Sequence, residues 1–156
     1  MEKTVATQHQ QTAGTANIRI TETEADVTAC FPVMHELRPH LADAAELIAR
    51  WRRQQKDGYI LAGLWQDGAV VAVTGYRVQE NLVHGRFFYV DDLVTAAALR
   101  SQGHGEALMA YLKAEAKRLD CTRLALDTPL DNVLGHRFYY RNGLLARALR
   151  FYTVLA

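Results

Sequence analysis

Cysteine is close to missing from this chain of 156 residues: Cys30 and Cys121 are the only two, and no C-x-x-C pair occurs. That excludes a disulfide scaffold and a thiolate metal cluster, and leaves reduced thiols as the default. An excess of one charge is missing as well. A formal net charge of +1 supplies no electrostatic footprint for nucleic acid or an acidic membrane surface. No apolar run approaches the length of a bilayer span, and the N-terminus lacks the apolar core of a secretory signal. A cytoplasmic protein without nucleic-acid or membrane partners is therefore expected. What remains is ordinary for a globular chain: 49% hydrophobic and 22% charged residues, at a length suited to one domain with a sizeable core.

Residues 1–16 are rich in Thr, Gln and Ala without a hydrophobic period, and read as a mobile lead-in to one domain over 17–156. Ile18-Arg19-Ile20 alternates as a short strand. Thr21 or Thr23 can cap a helix from Glu24, which Pro32 should bend or restart and Pro39 should end. Asp43 to Lys56 reads as a second helix, stopped near Gly58. From Tyr59 the period changes to two. Tyr59–Trp65 and Ala69–Val78 flank Asp67-Gly68, which signals an antiparallel hairpin. A further strand runs from Phe87 to Thr95. A glycine-rich loop follows, then a helix with Leu108, Leu112, Ala116 and Leu119 on one face. Arg123–Asp127 is expected as a strand and Asp131–Arg141 as a short helix ended at Asn142-Gly143. Leu144–Leu155 is expected as a last strand or bent strand pair. The class is α/β (α+β): a central mixed, mostly antiparallel sheet flanked by helices, parallel only across the Leu108 helix.

Strand, glycine loop, helix is the arrangement that offers a helix N-terminus to an anion. First-turn amides lack intrahelical partners and the macrodipole is positive there. Spacing separates three phosphate loops. A Walker loop fails, because no lysine follows Gly103 or Gly105 where G-x-x-x-x-G-K-[ST] needs one. A dinucleotide fingerprint would use Gly103 and Gly105 with Asp127 as the distal acid, but its third small residue would be Leu108. R-x-x-G-x-G is matched in full by Arg100, Gly103 and Gly105. A ligand-free glycine connection is the plain alternative.

A second motif lies in DNVLGHRFYYRNGL, residues 131–144. Asn132, Phe138, Tyr139 and Gly143-Leu144 fit N-x-x-A-x-x-[LF]-Y-x-x-x-G-[FL], with Gly135 in place of Ala. With both motifs in order, the chain resembles the GCN5-related N-acetyltransferases (GNAT). The resemblance implies a GNAT fold whose sheet splays between the fourth and fifth strands, with acetyl-CoA as cosubstrate and no metal. It implies that the strand edge at Leu93, Val94 and Thr95 pairs with pantetheine amides. It further implies a pyrophosphate cradle from Ser101, Gln102, Gly103, His104, Gly105 and Glu106, shaped by Arg100. Asn132 would face the pantetheine arm, and Tyr139 would protonate the departing thiolate. Without the motif, Asn132 reads as a helix N-cap and Tyr139 as packing. An acyltransferase acting on a small-molecule or peptide amine is implied, with direct transfer in a ternary complex. A CoA-binding sensor without turnover is the rival of another class, and a homodimer stands beside a monomer as an alternative.

Asp91 and Asp92 are costly in an apolar strand unless paired, hydrogen-bonded or wet. Alternation puts them on opposite faces unless a bulge intervenes. Either could take the amine proton, and either could simply pair with an arginine. By analogy with the resembled fold, the acceptor would enter beside the first two helices, with Arg38 and Tyr76 as acceptor-binding residues and Arg38 meeting a substrate carboxylate or pairing with Glu36. H-E-x-x-x-H from His35 to His40 is one residue too long for a zinc protease, and Pro39 breaks it. Neither cysteine has a nucleophile's setting.

Overall fold

The structure, a computed structural model, describes residues 17–156; the expected lead-in over 1–16 lies outside the described residues. In chain order the elements are β1 (Asn17–Ile20), α1 (Glu24–Leu37), α2 (Ala44–Gln55), β2 (Ile60–Gln66), β3 (Ala69–Asn81) and β4 (Gly85–Thr95). A 3₁₀ turn (Ala97–Leu99), α3 (His104–Arg118), β5 (Leu124–Leu126) and α4 (Val133–Arg141) follow. The five strands lie in the order β1-β2-β3-β4-β5. Every neighbouring pair is antiparallel except β4 with β5, which is parallel across α3.

Helix α1 opens on a capping box. Thr23 Oγ1 accepts from the Asp26 amide at 3.2 Å, and Asp26 Oδ2 accepts from the Thr23 amide at 3.0 Å. This satisfies two orphan groups at once. The helix then continues through Pro32 instead of restarting there. Proline removes one donor, but tertiary packing keeps the turn: Val27, Cys30, Val33 and Met34 are all buried and share a core with Leu47, Trp51, Tyr59, Val73 and Val94. Helices α1 and α2 therefore cover one face of the sheet. The other face carries α3, whose Leu112 and Ala116 pack on Tyr76, Phe88 and Val90.

Strands β4 and β5 pair only at Phe88, Val90 and the residue between them, opposite Leu124, Leu126 and Ala125. From Asp91 onward β4 keeps β3 on one side and, among the described residues, has no strand on the other. That is the expected splay between the fourth and fifth strands. Residues 144–156 form no strand, which corrects the expectation of a closing strand over Leu144–Leu155. Leu145, Leu149, Phe151, Tyr152 and Leu155 are exposed there and find no ladder among the described residues.

Candidate active site

Two features meet beside the splay. The first is the loop from Arg100 into α3. Gly103 is the N-cap of α3 with φ of 84°, and no side chain caps the helix. Ser101 also has positive φ, at 62°. Left-handed residues alternating with ordinary ones turn successive amides toward one concavity, which suits an anion. Thus Arg100, Ser101, Gln102, Gly103, His104, Gly105 and Glu106 are brought together around an uncapped helix N-terminus. The imidazole of His104 is buried, and its Nε2 has no partner among the described residues.

Gly105 has a further reason to be glycine. A Cβ there would lie 3.0 Å from Cε2 of Phe138 and 3.8 Å from Thr95 Oγ1. Helix α4 therefore docks against the first turn of α3, next to the free end of β4. Arg141 and Glu106 add an ion pair at 3.5 Å, and the Lys113 ammonium donates to the Asn142 carbonyl. Tyr139 follows Phe138 on this helix, with the two ring centroids 5.5 Å apart. Burial alone pushes its phenol above the usual range. Tyr140, one position on, is 56% exposed. Asn132 is occupied otherwise: its Oδ1 accepts from the Gly135 amide at 3.1 Å, and its Nδ2 donates to Thr128 Oγ1 at 2.9 Å. The N-cap role uses both ends of that side chain.

The second feature is a cavity of about 480 Å³ between α1, α2 and the sheet, lined among others by Arg38, Trp51, Tyr59, Tyr89, Asp91 and Asp92. Both aspartates face it because β4 carries a bulge. Gly75 pairs with Asp92 while Tyr76 pairs with Val90, so Asp91 is the extra residue. The bulge inverts the alternation: Val90 packs in the α3-side core and Val94 in the α1-side core.

The two carboxylates differ. Asp92 Oδ1 accepts from Arg38 Nε at 2.9 Å and Nη2 at 2.8 Å, while Oδ2 accepts from the Tyr59 hydroxyl at 2.7 Å. Both of its oxygens are taken. Asp91 has one side-chain partner, Arg77, whose Nε donates to Oδ2 at 3.0 Å. Burial raises the Asp91 carboxyl above the ordinary aspartate range, against the lowering effect of Arg77. The Tyr59 phenol is pushed well above its usual range by burial and then by Asp92.

One acceptor assignment needs correction. Tyr76 is fully buried, stacked on Phe88, with its hydroxyl 2.9 Å from that of Tyr111. Adjacent strand residues face opposite ways, and Arg77 is the one on the cavity side. Arg38 does line the cavity, where Nε and Nη2 donate to Asp92 and Nη2 also donates to the Asp91 carbonyl at 2.9 Å. Glu36, the other suggested partner of Arg38, instead accepts from the Ala97 amide at 2.8 Å. Sequence reasoning missed Tyr59 and Tyr89 as cavity residues. Both sit in strand-like patterns whose cavity face only the register identifies.

Residues 20–144 match the family described as Acetyltransferase (GNAT) family. The chain belongs to that family and is an acyltransferase. An uncharacterized N-acetyltransferase of Bacillus subtilis (strain 168), YhdJ, is 31% identical over 109 residues, covering 70% of this chain and 77% of that protein. An aminoalkylphosphonate N-acetyltransferase of Salmonella typhimurium is 29% identical over 91 residues, 58% of this chain and 59% of that one. Among solved structures, AAC(6')-Iy in complex with a bisubstrate analog, CoA-S-monomethyl-acetylneamine, superposes with a TM-score of 0.77 at 17% identity. That match covers 90% of this chain and 98% of the other. At such identity the likeness is one of fold. Among the described residues no group of three or more His, Cys, Asp or Glu could hold a metal ion, and no helix is long and apolar enough to cross a membrane.

Proposed function

We propose that this protein is an N-acetyltransferase that passes the acetyl group of acetyl-CoA directly to the amine of a small molecule or peptide. The observation that carries this reading is the junction of three features at the end of β4. A strand edge at Leu93, Val94 and Thr95 that has no partner strand among the described residues adjoins an α3 N-terminus with no side-chain cap among them and a cavity holding Asp91. The free edge suits the amides of a pantetheine arm, and the loop amides with Arg100 suit a pyrophosphate. The absent Cβ at Gly103 and Gly105 keeps that approach open.

In this reading Asp91 is the base. A lysine-like ammonium is neutral in about one molecule in a thousand or fewer at pH 7, so attack needs a proton acceptor. Asp92 has no oxygen to spare, whereas Asp91 has one unused. Tyr139 then donates to the sulfur as the carbon–sulfur bond breaks. A phenol held neutral by burial suits an acid. Direct transfer is supported by the thiols: Cys30 is fully buried and its pKa is pushed up to about 12 by burial, the opposite of an activated nucleophile.

One observation favours the rival of a CoA-binding module without turnover. Each carboxylate in the cavity already faces an arginine, so a neutralised pair could serve structure alone. A screen of amines and peptides that reports free CoA thiol separates the two. Thiol release with one acceptor class supports acyl transfer; acetyl-CoA binding with no release across the panel supports the module.

A further inference from the structure

The bulge at Asp91 is held by contacts that no catalytic role requires. Tyr59 precedes β2, and its hydroxyl crosses β3 to reach Asp92 on β4. It can do so because the residue between is Gly75. A Cβ at Gly75 would fall onto the Tyr59 hydroxyl, 2.5 Å from its Cζ and 2.6 Å from Asp92 Oδ2. Gly75 also marks the register break itself. From the other side Arg38, at the end of α1, grips Asp92 Oδ1 and the main-chain carbonyl of Asp91 with one guanidinium. Only a planar fork can bind a carboxylate and a neighbouring carbonyl together in this way. The Thr74 hydroxyl closes the ring by donating to the Asp92 carbonyl at 2.8 Å.

We propose that Tyr59, Gly75 and Arg38 are positioning residues that lock the β4 bulge and thereby aim the Asp91 carboxylate into the acceptor cavity. The proposal rests on the reading of Asp91 as the base. Asp92 is the clamped member of the pair and Asp91 the working one. Without the clamp, the strand can relax toward ordinary alternation, which turns one carboxylate away from the cavity.

Two measurements on Tyr59→Phe test this, because the change removes one oxygen and adds no atom. The first is the titration of the Asp91 carboxyl carbon by NMR, which needs no turnover. Burial is the main cause of its raised midpoint, so loosening the bulge should admit water and lower the midpoint by about one unit. The charged groups bearing on Asp91 are Arg77 on β3, Asp92 on its own strand and Arg38 at the end of α1. His40, Arg50 and Arg150 line the same cavity, and none of these is altered. The second is steady-state kinetics with the best acceptor. Turnover should fall about tenfold, with the acid limb of kcat/KM moving down in step and acetyl-CoA affinity unchanged. Gly75→Ala should do the same or more, and Arg38→Lys should fail to rescue Arg38→Gln. A tyrosine that merely adds stability would lower the melting point and leave the Asp91 midpoint at its parental value, and that result overturns the proposal. Absence of thiol release by the parent enzyme would overturn the acyl-transfer reading instead, while the titration comparison would still decide whether the clamp exists.

Discussion

The glycine loop and the acceptor cavity lie at the two sides of one strand end, yet they are built in different ways. The loop is contiguous: Arg100 to Glu106 carry the whole of it, and its geometry comes from backbone conformation at Ser101 and Gly103. The cavity is assembled from α1, α2, the start of β2, β3, β4 and the C-terminal Arg150. Its chemistry exists only when the register is right. A loop of the first kind is specified by a few fixed spacings. A cavity of the second kind can differ in one bulge and present a different residue set. On the proposed reading, the cofactor's part of the chemistry falls in the contiguous element and the choice of acceptor in the assembled one.

The largest effect expected on the loop side is that of Gly105→Val. The new side chain would meet Phe138, whose ring already stands 3.0 Å from the Cβ position, and would enter the anion path. Acetyl-CoA affinity by calorimetry should fall about a hundredfold or more, the scale of a misplacement near 1 Å. Pairing the change with Phe138→Ala sharpens the comparison: recovery would assign the damage to packing of α4, and continued loss to the loop itself. Unchanged affinity in the folded single variant would remove the pyrophosphate assignment.

On the cavity side, Asp91→Asn should lower turnover by roughly 10²–10⁴, and Asp92→Asn should act less, through the clamp. The pH dependence has a definite sign. As the proposed base Asp91 would work ionised, and burial raises its carboxyl, so parental kcat/KM should rise with pH through a midpoint above the ordinary aspartate value. In Asp91→Asn that limb should disappear, and activity should partly return at high pH as the amine loses its own proton. Parental turnover in Asp91→Asn would make the pair structural and favour the non-catalytic reading.

How much could be read in advance follows the same division. The loop spacing, the hairpin at Asp67-Gly68 and the parallel β4–β5 crossing were legible, whereas Asn132, read for the pantetheine arm, caps α4 with its Oδ1. The continuity of α1 through Pro32 was not legible, because burial of Val33 and Met34 outweighs one lost donor. Nor was the orientation of Asp91 and Asp92, since alternation alone separates what the bulge joins. The Tyr76 assignment failed for a related reason. Strand residues adjacent in sequence look equivalent until the pairing shows which of them faces α3.

Tyr139→Phe comes next in size and probes the border between the two regions. It removes a hydroxyl from a ring whose volume stays the same, so folding and cofactor affinity should change little. A thiolate with a parent pKa near ~8.5 leaves tolerably without help, so turnover should drop only about ten- to a thousandfold. Tyr140→Phe is the matched control, pointing about 100° away on the same helix. If Tyr140→Phe does the damage, the acid must be moved by one residue.

The smallest expected effect concerns Tyr76, and it checks the correction made to the cavity. Tyr76 is sealed under α3, and among the described residues its hydroxyl's one polar contact is with Tyr111. Tyr76→Phe deletes that hydrogen bond while keeping the stack on Phe88. Tyr111 is half-buried, so water can replace part of the lost bond. The cost should be about 0.5–1.5 kcal/mol, seen as a melting-point drop of roughly 2–4 °C for a chain of this length. Tyr111→Phe should cost a similar amount, and the double variant clearly less than the sum, because both single changes break the same bond. Turnover and acceptor KM should stay at parental values in all three. A raised acceptor KM with unchanged stability would return Tyr76 to the acceptor site and undo the division of β3 into a cavity face carrying Arg77 and a core face carrying Tyr76.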